Sequence, residues 1–242
     1  MNTEQHMITV SGLRVEVTRK SIKNLHLGVY PPSGRVRVAA PLRVSNEAVR
    51  LAVVGKLGWI RRQQARFEGQ PRESAREMVS GESHYYLGQR YRLHVVYNDE
   101  PVGVVVRNKA TLELHVRPRT DVAARQRLLM RWYRQQLKEM IPPLLTRWQK
   151  RLGVQVSDFG IKKMKTKWGT CTAEARRIWI NLELAKKSAD SLEYVVLHEL
   201  VHLLARHHDD RFIAIMDKHL PRWRALREEL NCLPLAHETW RE

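Results

Sequence analysis

Apolar and polar residues alternate over Leu13–Lys20 (LRVEVTRK) and again over residues 25–40 (LHLGVYPPSGRVRVAA). That period of two predicts strands with one face in a core. Pro32-Ser33-Gly34 interrupts the second run and predicts a hairpin turn. Ser45 stands as an N-cap before a helix through residues 46–67, which Gly69 and Pro71 end. Gly55 and Gly58 are weak points inside it. Three further alternating segments follow, HYYLGQRYRLHVVYN, VGVVVRN and TLELHVRP, and they predict an antiparallel meander.

After Pro118 the period changes. Residues 121–151 carry Leu128, Leu129, Trp132, Leu137 and Leu144 at helical spacing, and Pro142-Pro143 predicts a kink or break there. Two strands, DFGIKKMKT and RIWINLEL, flank a turn at TAEAR. An apolar helix through VVLHELVHLLARHHDDRF comes next, then a last helix near RFIAIMDKHL. Neither an internal repeat nor a low-complexity tract is evident. The pattern predicts an α+β protein: a β-rich half with one helix over residues 1–120, and a helical and β half over residues 121–242.

Composition narrows the class. The 242 residues can form one large domain or two small ones, and 43% hydrophobic with 28% charged residues excludes a disordered chain. No apolar run is long enough to span a membrane, and MNTEQHMITV lacks the basic and apolar regions of a secretory signal. Cys171 and Cys232 form no C-x-x-C pair and fit a reducing cytoplasm. The formal charge of +18 points to a polyanionic partner such as nucleic acid. The basic residues are spread along the chain with no block of five, so a solvated cationic surface accounts for them equally well.

The chemistry concentrates between residues 198 and 208. His198 and His202 are four apart on a helix, so their imidazoles share a face about one turn apart and can reach one metal ion. Glu199 is rotated by about 100° from His198, poorly placed as a ligand and well placed to take a proton from a metal-activated water. This H-E-x-x-H arrangement is that of a zinc hydrolase. A third ligand is needed, and His208 can supply it if the chain turns back after the helix; His207 competes for the place. Asp158-Phe159-Gly160 matches a kinase motif but has none of its companion motifs. Cys171 reads as a small packed residue, and Trp168, Trp179 and Tyr194 as packing around the histidine helix.

Taken together, Lys165, Trp168, Gly169, Cys171, Ile180, Asn181, Glu193, Tyr194, His198, Glu199, His202, His208 and Phe212 make the chain resemble the YgjP-like family of zinc metallopeptidases. The segments RVRVAAPLRVS and YYLGQRYRLHVV extend the resemblance over most of its length. The family's Asn-His-Ser is here His207-His208-Asp209, and the Ser of its W-G-S-C is Thr170. Metzincins share the histidine spacing but carry a glycine where this chain has Ala205. The layout is also similar to that of SprT-like proteases, which act on proteins crosslinked to DNA.

The resemblance implies a zincin-type catalytic half over residues 121–242. Zn2+ would be held by His198, His202 and His208, with Glu199 as the catalytic base, and no other cofactor is implied. Peptides or proteins are the implied substrates, with RIWINLEL as the edge strand that pairs with them. Lys165, Lys167 and His207 are the cations available to stabilise an oxyanion. A protease that uses nucleic acid as its platform, and a non-catalytic module stabilised by metal, are the rival classes.

Overall fold

The computed structural model describes residues 5–30, 33–68, 76–99, 101–164 and 167–232. Contacts divide the chain into two compact units, one ahead of residue 74 and one of residues 74–235. The boundary read at 120/121 lies inside the second unit. The reason is that Leu93, Leu112 and Leu114 of the second group of strands share one core with Leu129 and Leu137 of the following helix.

In the first unit, β1 (Gln5–Val10), β2 (Leu13–Lys20), β3 (His26–Tyr30) and β4 (Arg35–Pro41) form a sheet of order β1-β2-β4-β3. β1 is not among the strands predicted from the pattern. Ser11 and Gly12, both at positive φ, make the two-residue turn between β1 and β2, and Gly34 at φ 68° lies in the turn before β4. Pro31 and Pro32 lie outside the described residues. Ser45 caps α1 (Asn46–Val54) by accepting from the Ala48 N–H at 3.1 Å. The single predicted helix is in fact two, because Gly55 ends α1 and the chain restarts as α2 (Leu57–Glu68). Val15, Val17, Val36 and Val38 from the sheet, with Val49, Val53 and Ile60 from the helices, are fully buried together.

The second unit opens with β5 (Ser83–Tyr86), β6 (Gln89–Tyr97), β7 (Gly103–Val106) and β8 (Thr111–Val116) in the order β5-β6-β8-β7. This corrects the meander: the first alternating segment is itself a hairpin about Leu87-Gly88, and β6 pairs with β8 in parallel. Alternation shows which side chains face a core but not which strand lies alongside. The two four-stranded sheets thus share one topology, with β2 and β4 also parallel, although no repeat is visible in the sequence.

α3 (Val122–Leu152) is capped by Asp121 and ends at Gly153 in the left-handed conformation. It buries Leu129, Tyr133, Leu137, Ile141, Leu145 and Trp148 along one stripe. The predicted break at Pro142-Pro143 does not occur. Both prolines are exposed, as are Lys138 and Glu139, whose carbonyls lose their helical partners to the rings, so that loss falls on the solvent side. β9 (Asp158–Lys162), β10 (Gly169–Thr172) and β11 (Arg177–Asn181) form a sheet of order β10-β11-β9. Trp179 pairs with Gly160 and its ring lies where a Cβ on that glycine would stand. Lys162 and Arg177 approach the same ring, so Trp179 occupies the face opposite buried Ile178 and Ile180, not the surroundings of the histidine helix.

Strand β11 stops at Asn181, and the expected strand residues LEL belong to a 3-10 helix, Leu182–Lys186. α4 (Ala189–Val201), α5 (Asp210–His219) and α6 (Trp223–Cys232) complete the unit. α6 lies beyond the last predicted helix. Among the described residues no helix is long and apolar enough to cross a membrane.

Candidate metal centre

α4 is buried on nearly every side, with Leu192, Val195, Val196, Leu197, Leu200 and Val201 in the core. Ser188 caps it by accepting from the Ser191 N–H at 3.2 Å, and Trp148 and Arg147 of α3 both bind Glu193, at 3.1 and 2.5 Å. A helix so enclosed holds its polar residues only where they have a purpose or a partner. His198 and His202 project from one face, and α4 ends immediately afterwards, with Leu204 and Ala205 both bonding back to the Val201 carbonyl.

The turn then delivers His208. Asp209 caps α5 by accepting from the Phe212 N–H at 3.0 Å, so the residue that departs from the family's serine does the capping that a serine would. Phe212, fully buried, packs against all three imidazoles with centroids 4.7–5.0 Å away. As a result the Nε2 atoms of His202 and His208 lie 3.2 and 3.0 Å from Nε2 of His198. His207 is not in the cluster; among the described residues the group able to hold a metal is His198, His202 and His208.

These nitrogens suit an ion better than each other. Ligands at 2.0–2.1 Å from one tetrahedral ion sit roughly 3.3 Å apart, close to the spacings from His198 to His202 and to His208. His202 bonds through Nδ1 to the Ala205 carbonyl at 3.1 Å, which can only accept, so the proton is on Nδ1 and the Nε2 lone pair is free. Burial first, then the neighbouring imidazoles and Arg227, push His198 down to about 3. Burial also lowers His202, against the Ala205 bond, and lowers His208 together with Arg227 and His207. The cluster is therefore three imidazoles whose Nε2 atoms converge on one space and whose charged forms burial disfavours, a donor set that a divalent cation fits.

Glu199 is 4% exposed, and burial pushes its carboxyl up to about 8, opposed by Lys167. It lies against β10. A Cβ on Gly169 would come 2.5 Å from Glu199 Oε1 and 2.7 Å from its Cγ. The loop ahead of β10 is tied down by Asn181, fully buried. Its amide donates to the Met164 and Lys167 carbonyls at 2.9 and 2.7 Å, and its oxygen accepts from the Met164 and Glu183 N–H groups at 3.2 Å.

The cluster opens into a cavity of roughly 500 Å³, lined by β10, α4, the turn after it and α6. Of the cations expected near an oxyanion, Lys167 lines it, His207 does not, and Lys165 lies outside the described residues. Cys171 lines it too, half-buried, its thiol pushed up to about 11 chiefly by burial. Tyr194 and Arg227 are lining residues whose place in the cavity sequence reasoning missed. Tyr194, one turn before His198, packs its ring edge on that imidazole and stacks on Trp223; burial raises its hydroxyl to about 12. Helical spacing from His198 could have flagged Tyr194, but no motif marks Arg227. β11 is also not the expected edge. It is the central strand, and β10 is the edge strand that borders the cavity.

Three convergent imidazoles beside a buried carboxyl form the constellation of a metal-dependent hydrolase. The chain belongs to the YgjP-like family: the family's metallopeptidase-domain model matches residues 23–232. It is thus a metallopeptidase, a hydrolase of peptide or protein substrates with a metal cofactor. No curated protein matches the chain significantly. Similar solved structures include the metallopeptidase zymogen abylysin of Pyrococcus abyssi, at 21% identity and a TM-score of 0.35, covering 37% of this chain and 90% of that one. The zymogen jannalysin of Methanocaldococcus jannaschii is similar at 17% identity and a TM-score of 0.33, over 39% of this chain and 86% of that one.

Proposed function

We propose that the metal is zinc, held by His198, His202 and His208, and that Glu199 is the base of a peptide-bond hydrolysis. The observation that carries this is the meeting of three imidazole nitrogens within 4.8 Å of one another beside a buried Glu199. Three neutral imidazoles and no thiolate are a donor set of catalytic zinc sites, which leave a fourth position open. When bound there, zinc supplies a Lewis acid for the scissile carbonyl and activates water as the nucleophile.

The chain's own residues do the rest. Glu199 accepts the proton of the attacking water and returns it to the departing amine, and its carboxyl, enclosed beside the imidazoles, is placed for both steps. Gly169, by lacking a side chain, lets that carboxyl rest against β10. Tyr194 presents a hydroxyl that stays protonated, and Lys167 a cation, for the charge that develops on the substrate oxygen. β10, with its outer backbone edge beside the cavity, takes over the pairing role read for RIWINLEL: an extended peptide adds alongside Gly169–Thr172.

Metal analysis tests this reading. Protein purified without added zinc is expected to carry about one zinc per chain, and His198→Ala and His202→Ala are expected to lose it. Full zinc occupancy in the double variant would end the proposal.

A further inference from the structure

Arginines of the cavity wall and of the start of α6 are mostly engaged. Arg222 meets Asp190 at 2.9 Å, Arg224 binds Asp217, and Arg206 lies 3.8 Å from Glu174. Arg227, about one turn beyond Arg224 on α6, differs. It lines the cavity, its side chain is open to solvent, and among the described residues it has neither a carboxylate nor a carbonyl partner. Trp223, which begins the same helix, stacks on Tyr194 and so fixes this end of α6 beside α4. Arg227 therefore shares the cavity with the three imidazoles, on the wall that α6 supplies.

A guanidinium beside a cluster suited to a cation is electrostatically unfavourable unless an anion offsets it. The acids lining the cavity do not provide one: Glu174 lies by Arg206, and Glu199 is buried against Gly169. The planar fork of Arg227 is thus open to a ligand, and its geometry matches a carboxylate. We propose that Arg227 binds a carboxylate of the peptide substrate, either the free C-terminus or an Asp or Glu side chain, and so selects the bond that is cut. This rests on the peptidase reading above.

The test is equilibrium binding to zinc-loaded Glu199→Gln protein, in which a bound peptide is not consumed. Three sets of short fluorescent peptides are compared: neutral with an amidated C-terminus, neutral with a free C-terminus, and amidated with one Glu walked along the sequence. A carboxylate-bearing set is expected to bind roughly tenfold or more tighter than the neutral amidated one. Adding Arg227→Gln should remove that advantage while zinc content and melting temperature stay the same. An advantage confined to free C-termini identifies the main-chain carboxylate, and one confined to Glu peptides identifies a side chain. Equal binding of all three sets, or an advantage that survives Arg227→Gln, would overturn the assignment, and hydrolysis by the wild type would then leave the peptidase reading standing. An Arg227-dependent preference in a protein whose wild type cleaves none of these peptides would instead support the carboxylate site and count against the peptidase reading.

Discussion

Gly169 and Glu199 are in contact across the cavity floor, with no room for a methyl group between them: a Cβ on the glycine would lie 2.5 Å from Glu199 Oε1. A strand glycine at that point lets the carboxyl of α4 lie against the edge strand. Gly169→Ala is therefore expected to displace Glu199 and leave the three imidazoles in place. Zinc content should be unchanged and turnover should fall at least about tenfold. Wild-type turnover in this variant would show that the contact does not hold the carboxyl in position.

His208 and His207 separate by the same logic. Only His208 brings its Nε2 to His198, at 3.0 Å, and His207 is exposed outside the cluster. His208→Ala should lose the metal and His207→Ala should keep it, by metal analysis of the purified variants. The reverse pattern would place the turn after Ala205 one residue out of register.

The side chain of Asn181 makes four hydrogen bonds while fully buried, and three of them hold the chain ahead of β10. Asn181→Ala leaves those backbone groups without partners, so a loss of about 2–4 kcal/mol in denaturant unfolding is expected. A loss within about 0.5 kcal/mol would mean that water replaces the amide freely.

His84 sets a pH dependence remote from the metal centre. It is 5% exposed, and burial lowers its pKa below 6.5, outweighing Glu82 at 3.3 Å, with Arg76 and Lys186 acting in the same direction as burial. The unfolded chain then binds this proton at a higher pH than the folded one. Its contribution to stability is complete above about pH 6.5 and is lost as pH falls from there through the lower folded pKa. Between pH 7.5 and 5.5 the unfolding midpoint should fall less in His84→Gln than in the wild type. Equal falls would assign the pH dependence to other groups.

How much of this was legible in sequence depends on how local the cause is. His198, Glu199 and His202 could be placed because helix geometry fixes their relative directions within a turn. His208 needed a turn whose closure involves the Asp209 cap and the Phe212 packing, so spacing alone left His207 in contention. The strand order could not be read at all. RIWINLEL, just before the histidine helix, is read as the edge that pairs with substrate, yet β11 is central and β10, only four residues long, borders the cavity. Arg227 lies on a helix that carries no motif, and only tertiary packing brings it to the histidines. The charge of +18 predicted anionic partners without locating any, because a net charge does not say where on the surface the excess cations lie.

The central claim is that Glu199 performs the proton transfer at a zinc site built from His198, His202 and His208. Hydrolysis of an unstructured protein such as casein, by wild type and Glu199→Gln at equal measured zinc content, tests it most directly. The amide keeps the shape of the side chain and cannot take the proton, so turnover should fall by roughly 10²–10⁴-fold with zinc retained. Equal turnover of the two zinc-loaded proteins would contradict the account.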